Sequence, residues 1–147
     1  MNPFDELHSG DIYYPSSDEI MQLQAECLEK QYDYNLTRPS EGAKREVLLK
    51  EMFAEIGDNC YIEPPLHANW GGKHCHFGNN VYANFNLTMV DDTHIYVGDN
   101  TMLGPNVVIM NVKNVKRKGL FAFMKPQKVE VTAALEEENE RAAYVKK

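Results

Sequence analysis

Between Phe77 and Ile109 apolar residues return at every sixth position: Phe77, Ala83 and Met89, then, after a slip of two residues, Val97, Leu103 and Ile109. Gly78, Asn84, Gly98 and Gly104 each follow one of these positions, where a chain that turns sharply favours small residues or residues that tolerate a left-handed backbone. Val81, Leu87, Thr101 and Val107 sit four places after the leading residues. A period of six with a turn in every repeat matches neither the helical step nor plain strand alternation. It predicts a β-solenoid in which each hexad lays down one short flat side, and three sides close a triangular coil of about 18 residues with the leading residues stacked inward. Ile56 and Ile62 carry the same step upstream, and Pro64 and Pro65, which donate no backbone hydrogen bond, suit an edge or a corner. Residues 56–73, 77–94 and 97–114 then make three coils, near the minimum for a solenoid.

The pattern upstream is helical. Residues 2–15 contain proline, glycine and paired tyrosines without a clear period and are expected to form an ordered lead-in. Ser16, Ser17 and Asp18 supply helix-cap chemistry, and Ile20, Leu23, Cys27, Gln31 and Tyr34 recur at steps of three and four, predicting a first helix. Thr37, Arg38, Pro39 and Ser40 interrupt it. Glu41 opens a second helix with Val47, Leu48, Met52 and Phe53 as its apolar stripe, ending near Gly57. After Ile109 the hexads stop: residues 128–132 alternate like one short strand, and residues 133–145 favour helix by propensity, with Ala134, Leu135, Ala142 and Val145 as a narrow stripe. That tail is expected to cap the open end of the solenoid. The organisation is therefore a helical segment (1–55), a hexad solenoid (56–112) and a divergent tail (113–147).

Composition narrows the function classes. At 147 residues the chain has one domain's worth of core. Its net charge of −7 disfavours nucleic acid as a general partner, and the basic run at 113–118 and the acidic run at 136–140 read as solvated surface. No apolar span approaches the roughly 20 residues of a membrane helix, and the first residues lack a signal-like pattern, so a cytoplasmic protein without a membrane partner is expected. Cys27, Cys60 and Cys75 are odd in number and fit no disulfide framework. Cys60, His67, His74, Cys75 and His76 lack the spacing of a zinc site, and strand alternation would turn Cys75 away from His74 and His76, so no metal is expected.

The segments KREVLLKEMF, IEPPLHANWGG, YANFNLTMVDDTHIYVGDN and GPNVVI occur in that order, and over about residues 3–109 the chain closely resembles the maltose and galactoside O-acetyltransferases. The resemblance implies a mainly β protein: a left-handed parallel β-helix of hexapeptide type, preceded by a small helical segment that helps to shape an acceptor pocket, here followed by an atypical, partly helical tail. It implies acetyl-CoA as co-substrate with no prosthetic group, a sugar such as maltose, glucose or a galactoside as acceptor, and a homotrimer. Tyr82, Asn84 and Asp92 match acceptor-contacting positions, and Asn84 also resembles the asparagine at the catalytic centre. Asn69 stands where a family member has a serine contacting the sugar, and the acidic contact near the N-terminus falls close to Pro15, with Asp18 as a stand-in. From the residues alone, Asn84 also reads as a turn residue, and Asp91 and Asp92 as loop caps.

Acetyl transfer to a hydroxyl needs a base, donors for the oxyanion and a slot for the thioester. The family's base, a histidine in a GHP motif, aligns with Asn114, which takes up no proton at neutral pH, and no histidine follows His94. His67, His74, His76 and His94 are the remaining imidazoles of the coils. In the family, later coils of neighbouring subunits form the coenzyme A groove; here Lys113, Lys116, Arg117 and Lys118 supply only a basic run, and no cofactor-binding residue is assigned. The expectation is a sugar O-acetyltransferase by lineage with impaired transfer, and the alternative is a non-catalytic relative that self-associates or binds a sugar.

Overall fold

The computed structural model describes residues 3–9, 17–110 and 130–131; the readings made at Pro15, at 113–118, at Asn114 and at 133–145 lie outside them. Three helices come first, α1 (Pro3–Ser9), α2 (Asp18–Asn35) and α3 (Gly42–Met52). Nine strands follow in three turns: β1 (Glu55–Ile56), β2 (Tyr61–Ile62), β3 (Leu66–Ala68), β4 (Cys75–Phe77), β5 (Tyr82–Ala83), β6 (Leu87–Val90), β7 (Ile95–Val97), β8 (Met102–Leu103) and β9 (Val108–Met110). A tenth, β10 (Glu130–Val131), lies where the alternation at 128–132 predicts a strand. Side one stacks β1, β4, β7 and β10, side two β2, β5 and β8, and side three β3, β6 and β9. Every pairing is parallel, giving the β-helix that the hexads predict.

The hexad leaders point inward in columns. Ile62, Ala83 and Leu103 stack on side two, Ala68, Met89 and Ile109 on side three, and Phe77 and Val97 on side one, all buried. The residues two places earlier, Leu66, Cys75, Val81, Leu87, Ile95 and Thr101, are buried as well. Each coil is longer than 18 residues: Ile56 pairs with Phe77 and Phe77 with Val97, steps of 21 and 20. The extra residues all enter at one corner, where the chain leaves side three for side one.

The turns are made differently from the expectation. Gly78, Asn84, Gly98 and Gly104 are not the left-handed residues; Asn59, Asn80, Asn86, Asn100 and Asn106 are, with φ between 56° and 62°. Asparagine tolerates that backbone because its short amide can bond locally. At the corner from side one to side two, Asn59 donates to Asn80 at 3.3 Å and Asn80 to Asn100 at 3.0 Å, so the turn residues form a ladder. Gly78 serves close approach instead: a Cβ there would lie 2.2 Å from Asp99 Oδ1, the oxygen that accepts the Asn79 amide at 2.6 Å.

The helices lock onto the first coil. Ser17 Oγ accepts from the Ile20 amide, the cap its sequence announces, and α2 buries Ile20 and Tyr34. On the outer edge of β3, Asn35 both accepts from the Leu66 amide and donates to its carbonyl at 2.8 Å, and Gln31 accepts from the Ala68 amide at 2.7 Å. The Tyr34 hydroxyl donates to the Ile62 carbonyl. Side chains of α2 thus stand in for a neighbouring strand. In α3 the inward face is Arg45, Leu49 and Met52, whereas Val47 is exposed. The helix ends at Met52 rather than near Gly57, because Phe53 turns extended into the core against Phe77. The lead-in contains a helix too short in pattern to read: α1 offers only Phe4 and Leu7.

Candidate functional site

The predicted acceptor residues fall into two groups on different corners. Asn69 and Asp92 occupy successive coils at the corner from side three to side one, and Asn69 Nδ2 donates to Asp92 Oδ1 at 3.1 Å on an exposed surface. Asn69 is further fixed by Gln24 of α2, which donates to its carbonyl at 3.0 Å. Beneath them Asp91 is wholly buried and accepts from the Trp70 and Gly72 amides at 2.7 and 2.9 Å. Gly71 and Gly72 lie at φ 60° and 91°, the backbone that carries the Gly72 amide around to this carboxylate. Burial raises the Asp91 pKa, and the two amides hold it back. Asp91 therefore takes the loop-capping role, leaving Asp92, one residue on, at the surface.

Tyr82 and Asn84 belong to side two and its far corner. Tyr82 stacks on Tyr61 in the same column, ring centroids 6.4 Å apart and planes 6° from parallel. Buried Arg45 donates to the Tyr61 hydroxyl at 2.5 Å and to Thr37 Oγ1 at 2.7 Å, so α3 supports this aromatic step from behind. Desolvation, with Glu63 nearby, raises the Tyr82 pKa, so its hydroxyl stays protonated and can donate. Asn84 Oδ1 accepts from the Phe85 amide at 2.8 Å, and its own amide donates to Leu103 O at 2.9 Å. The whole of β6 separates Asn84 from Asp92 within one chain.

Most of the imidazoles gather beside the first of these groups, at the corner from side three to side one. His67 is exposed on side three, while His74, His76 and His94 cluster at the start of side one, joined by His8 of α1, a contact across 66 or more residues that no local pattern announces. His74 Nδ1 donates to the Asp91 carbonyl at 2.6 Å, and burial pushes its pKa down to about 4. Among the described residues no group of three or more His, Cys, Asp or Glu is arranged to hold a metal ion. Cys27, Cys60 and Cys75 are free thiols, each with its pKa raised by burial. Two cavities, of about 220 Å³ beside Cys27 and Trp70 and about 490 Å³ beside Arg45 and Tyr61, contain none of Asn69, Tyr82, Asn84 or Asp92. No helix among the described residues is long and apolar enough to cross a membrane.

A three-sided parallel coil with helices seated on its first turn defines a hexapeptide-repeat protein. Residues 7–57 match the maltose acetyltransferase hexapeptide capping motif, the segment that carries α2 and α3. The chain is 45% identical over 109 residues to a galactoside O-acetyltransferase of Lactococcus lactis, covering 74% of this chain and 53% of the relative. A galactoside acetyltransferase solved in complex with coenzyme A superimposes with a TM-score of 0.70 at 37% identity, over 75% of this chain and 55% of that one. A maltose O-acetyltransferase from Clostridium difficile 630 gives 0.72 at 30% identity, over 76% and 59%. The chain belongs to the maltose and galactoside O-acetyltransferase family, and it spans about half the length of the curated relatives it matches.

Proposed function

We propose that this chain recognises a sugar hydroxyl acceptor for acetyl transfer from acetyl-CoA, through Asn69 and Asp92 at one corner and Tyr82 and Asn84 at another, and that these 147 residues alone transfer acetyl poorly. The observation that carries the reading is the Asn69–Asp92 pair: an exposed amide and a partly exposed carboxylate held 3.1 Å apart by α2 and by the Asp91-capped loop, in a chain 45% identical to a galactoside O-acetyltransferase over 109 residues. Such a pair presents one donor face and one acceptor face, which matches vicinal sugar hydroxyls. Because β6 keeps the two groups apart, one acceptor meets both only where copies of the chain come together, so a homotrimer belongs to the reading. Phe85, Met102, Val108 and Met110, all exposed on sides two and three, supply apolar surface for that contact.

The chemistry is weakest at the base. Asn114 cannot serve, His74 Nδ1 is held by the Asp91 carbonyl, and His76 and His94 are engaged with Glu55 and with each other. Slow transfer is therefore expected even where acceptor binds. The test pairs release of coenzyme A thiol from acetyl-CoA, over glucose, maltose and galactosides, with acceptor binding by saturation-transfer NMR. Sugar binding that disappears in Asp92→Ala supports the reading, with thiol release near background. Absence of sugar contact in a folded, assembled protein overturns it and favours a self-associating relative without an acceptor site. A cytoplasmic setting accompanies this proposal, since acetyl-CoA is an intracellular acyl donor.

A further inference from the structure

The cavity of about 490 Å³ opens between one face of α3 and the first coil. Gly42, Arg45, Glu46, Leu49 and Lys50, three and four apart along the helix, form one wall, and residues 56–61, at the corner from side one to side two, form the other. Its volume falls in the range of small-molecule pockets, and the acceptor residues take no part in it. Arg45 is its unusual member. The residue is only 4% exposed, and its guanidinium donates to Thr37 Oγ1, to the Thr37 carbonyl and to the Tyr61 hydroxyl, all of them neutral oxygens. Among the described residues no carboxylate stands within ion-pair distance of it. Glu41 accepts from the Arg38 amide at 2.6 Å and pairs with Lys44 at 3.8 Å, while Glu46 pairs with Lys50 at 2.8 Å. A buried charge held only by neutral oxygens is costly, and an anion that reaches it offsets that cost.

The donors at this cavity outnumber their acceptors. A guanidinium carries five N–H donors; three of Arg45's are used, which leaves two. The Tyr61 hydroxyl accepts from Arg45 and so keeps its own proton to give. Glu41, the cap of α3, makes no side-chain bond to the helix, so the amides that begin at Gly42 are uncapped as well. Leu49, Ile56 and Cys60 add apolar wall. Glu46 and Asp58 disfavour a second negative charge in the same space, and Lys50 is already committed to Glu46. We propose that this cavity binds a small organic monocarboxylate with an apolar body, its carboxylate on Arg45 and Tyr61 and its hydrocarbon against Leu49 and Ile56. An alcohol of the same size lacks the charge that Arg45 calls for, and inorganic phosphate brings excess charge and no apolar part. The site does not depend on acetyl transfer.

Two thiols supply an internal control. Cys60 lines this cavity and Cys27 the smaller one, both partly buried, whereas Cys75 is buried. Alkylation of Cys60 and Cys27 by iodoacetamide is followed in the full chain by peptide mass spectrometry, with hexanoate or benzoate as the probe and hexanol or inorganic phosphate as controls. A carboxylate at ten times its Kd should slow alkylation of Cys60 by about tenfold through simple occupancy and leave Cys27 within about twofold. Hexanol and phosphate at the same concentration should leave both thiols unchanged. Variants are read by saturation-transfer NMR of benzoate, with thermal unfolding alongside. Arg45→Gln removes the charge and should weaken binding by at least about tenfold, the share of one hydrogen bond to a charged group. Gly42→Phe puts a ring where a Cβ meets nothing within 4 Å, and should abolish binding with the fold retained; it carries the test where loss of the Arg45 bonds prevents folding. Equal protection by hexanol or phosphate overturns the proposal, as does equal protection of Cys27, an unprotected Cys60 with both carboxylates, or undiminished benzoate binding in Gly42→Phe.

Discussion

The corner from side one to side two and the corner from side three to side one are built on opposite plans. The first repeats itself from coil to coil: Asn59, Asn80 and Asn100 share one backbone conformation and bond to one another, and Asn79 and Asp99 each accept the amide of the equivalent residue in the coil before. The second never repeats. It runs through Trp70 and two glycines in one coil and through Asp91, Asp92 and Thr93 in the next, and it collects α1, α2, the Asn69–Asp92 pair and the histidines. A repeated corner gains stability from every copy but presents the same groups each time. An unrepeated corner gives up that ladder and obtains a surface on which distinct side chains meet.

The contrast can be broken most severely at the irregular corner. Asp91→Ala removes the acceptor of two buried amides and should cost about 3 kcal/mol in urea unfolding, since hydrogen bonds to a charged group contribute most and orphaned donors add to the loss. At the regular corner Gly78→Ala drives a Cβ to 2.2 Å from Asp99 Oδ1 and 2.8 Å from its amide, and should cost about 2 kcal/mol. Gly104→Ala, where a Cβ meets nothing within 4 Å, should stay within about 0.5 kcal/mol and is the control for glycine chemistry as such. Asn80→Ala loses a left-handed residue and two ladder bonds and should cost about 1.5 kcal/mol, with Asn80→Gly recovering part of it.

Smaller effects sharpen the comparison by pH and by binding. His74 has a folded pKa of about 4, below its unfolded value, so its contribution is complete above about 6.5 and declines as pH falls toward 4, where the unfolded chain takes the proton first. Asp91, with its pKa raised by burial, acts in the other direction: the folded chain binds its proton first, and stability from this group grows as pH falls through its raised pKa. His74→Gln should therefore flatten the acid limb of a stability–pH curve measured by thermal unfolding, leaving the opposing slope of Asp91. Asp92→Asn, on an exposed surface, should move stability by less than about 0.5 kcal/mol while weakening sugar contact in NMR.

The sequence made the regular part of the molecule legible and left the irregular part obscure for the same reason. Phe77, Ala83 and Met89 declare the coil because each sits in an equivalent environment, and the strand at 130–131 lies within a stretch of plain alternation. The asparagines of the turns were visible but overshadowed by the glycines, of which Gly78 answers a contact between coils rather than a backbone angle. Arg45 looks like surface on a helical wheel, and only the fold shows it buried behind Tyr61. His8 and His74 lie far apart in the chain and meet through tertiary packing alone. Asn69 and Asp92 were found through resemblance, and their separation from Asn84 follows from the coil geometry that spacing does not report.

The side chains that α2 lays along β3 have a consequence for assembly. A β-helix resembles a screw thread with two open ends, and an open end can accept the next molecule's thread and grow into a fibre. On side three, Asn35 and Gln31 fill the backbone positions that an incoming strand would need, so head-to-tail elongation is blocked at the leading end by two amides.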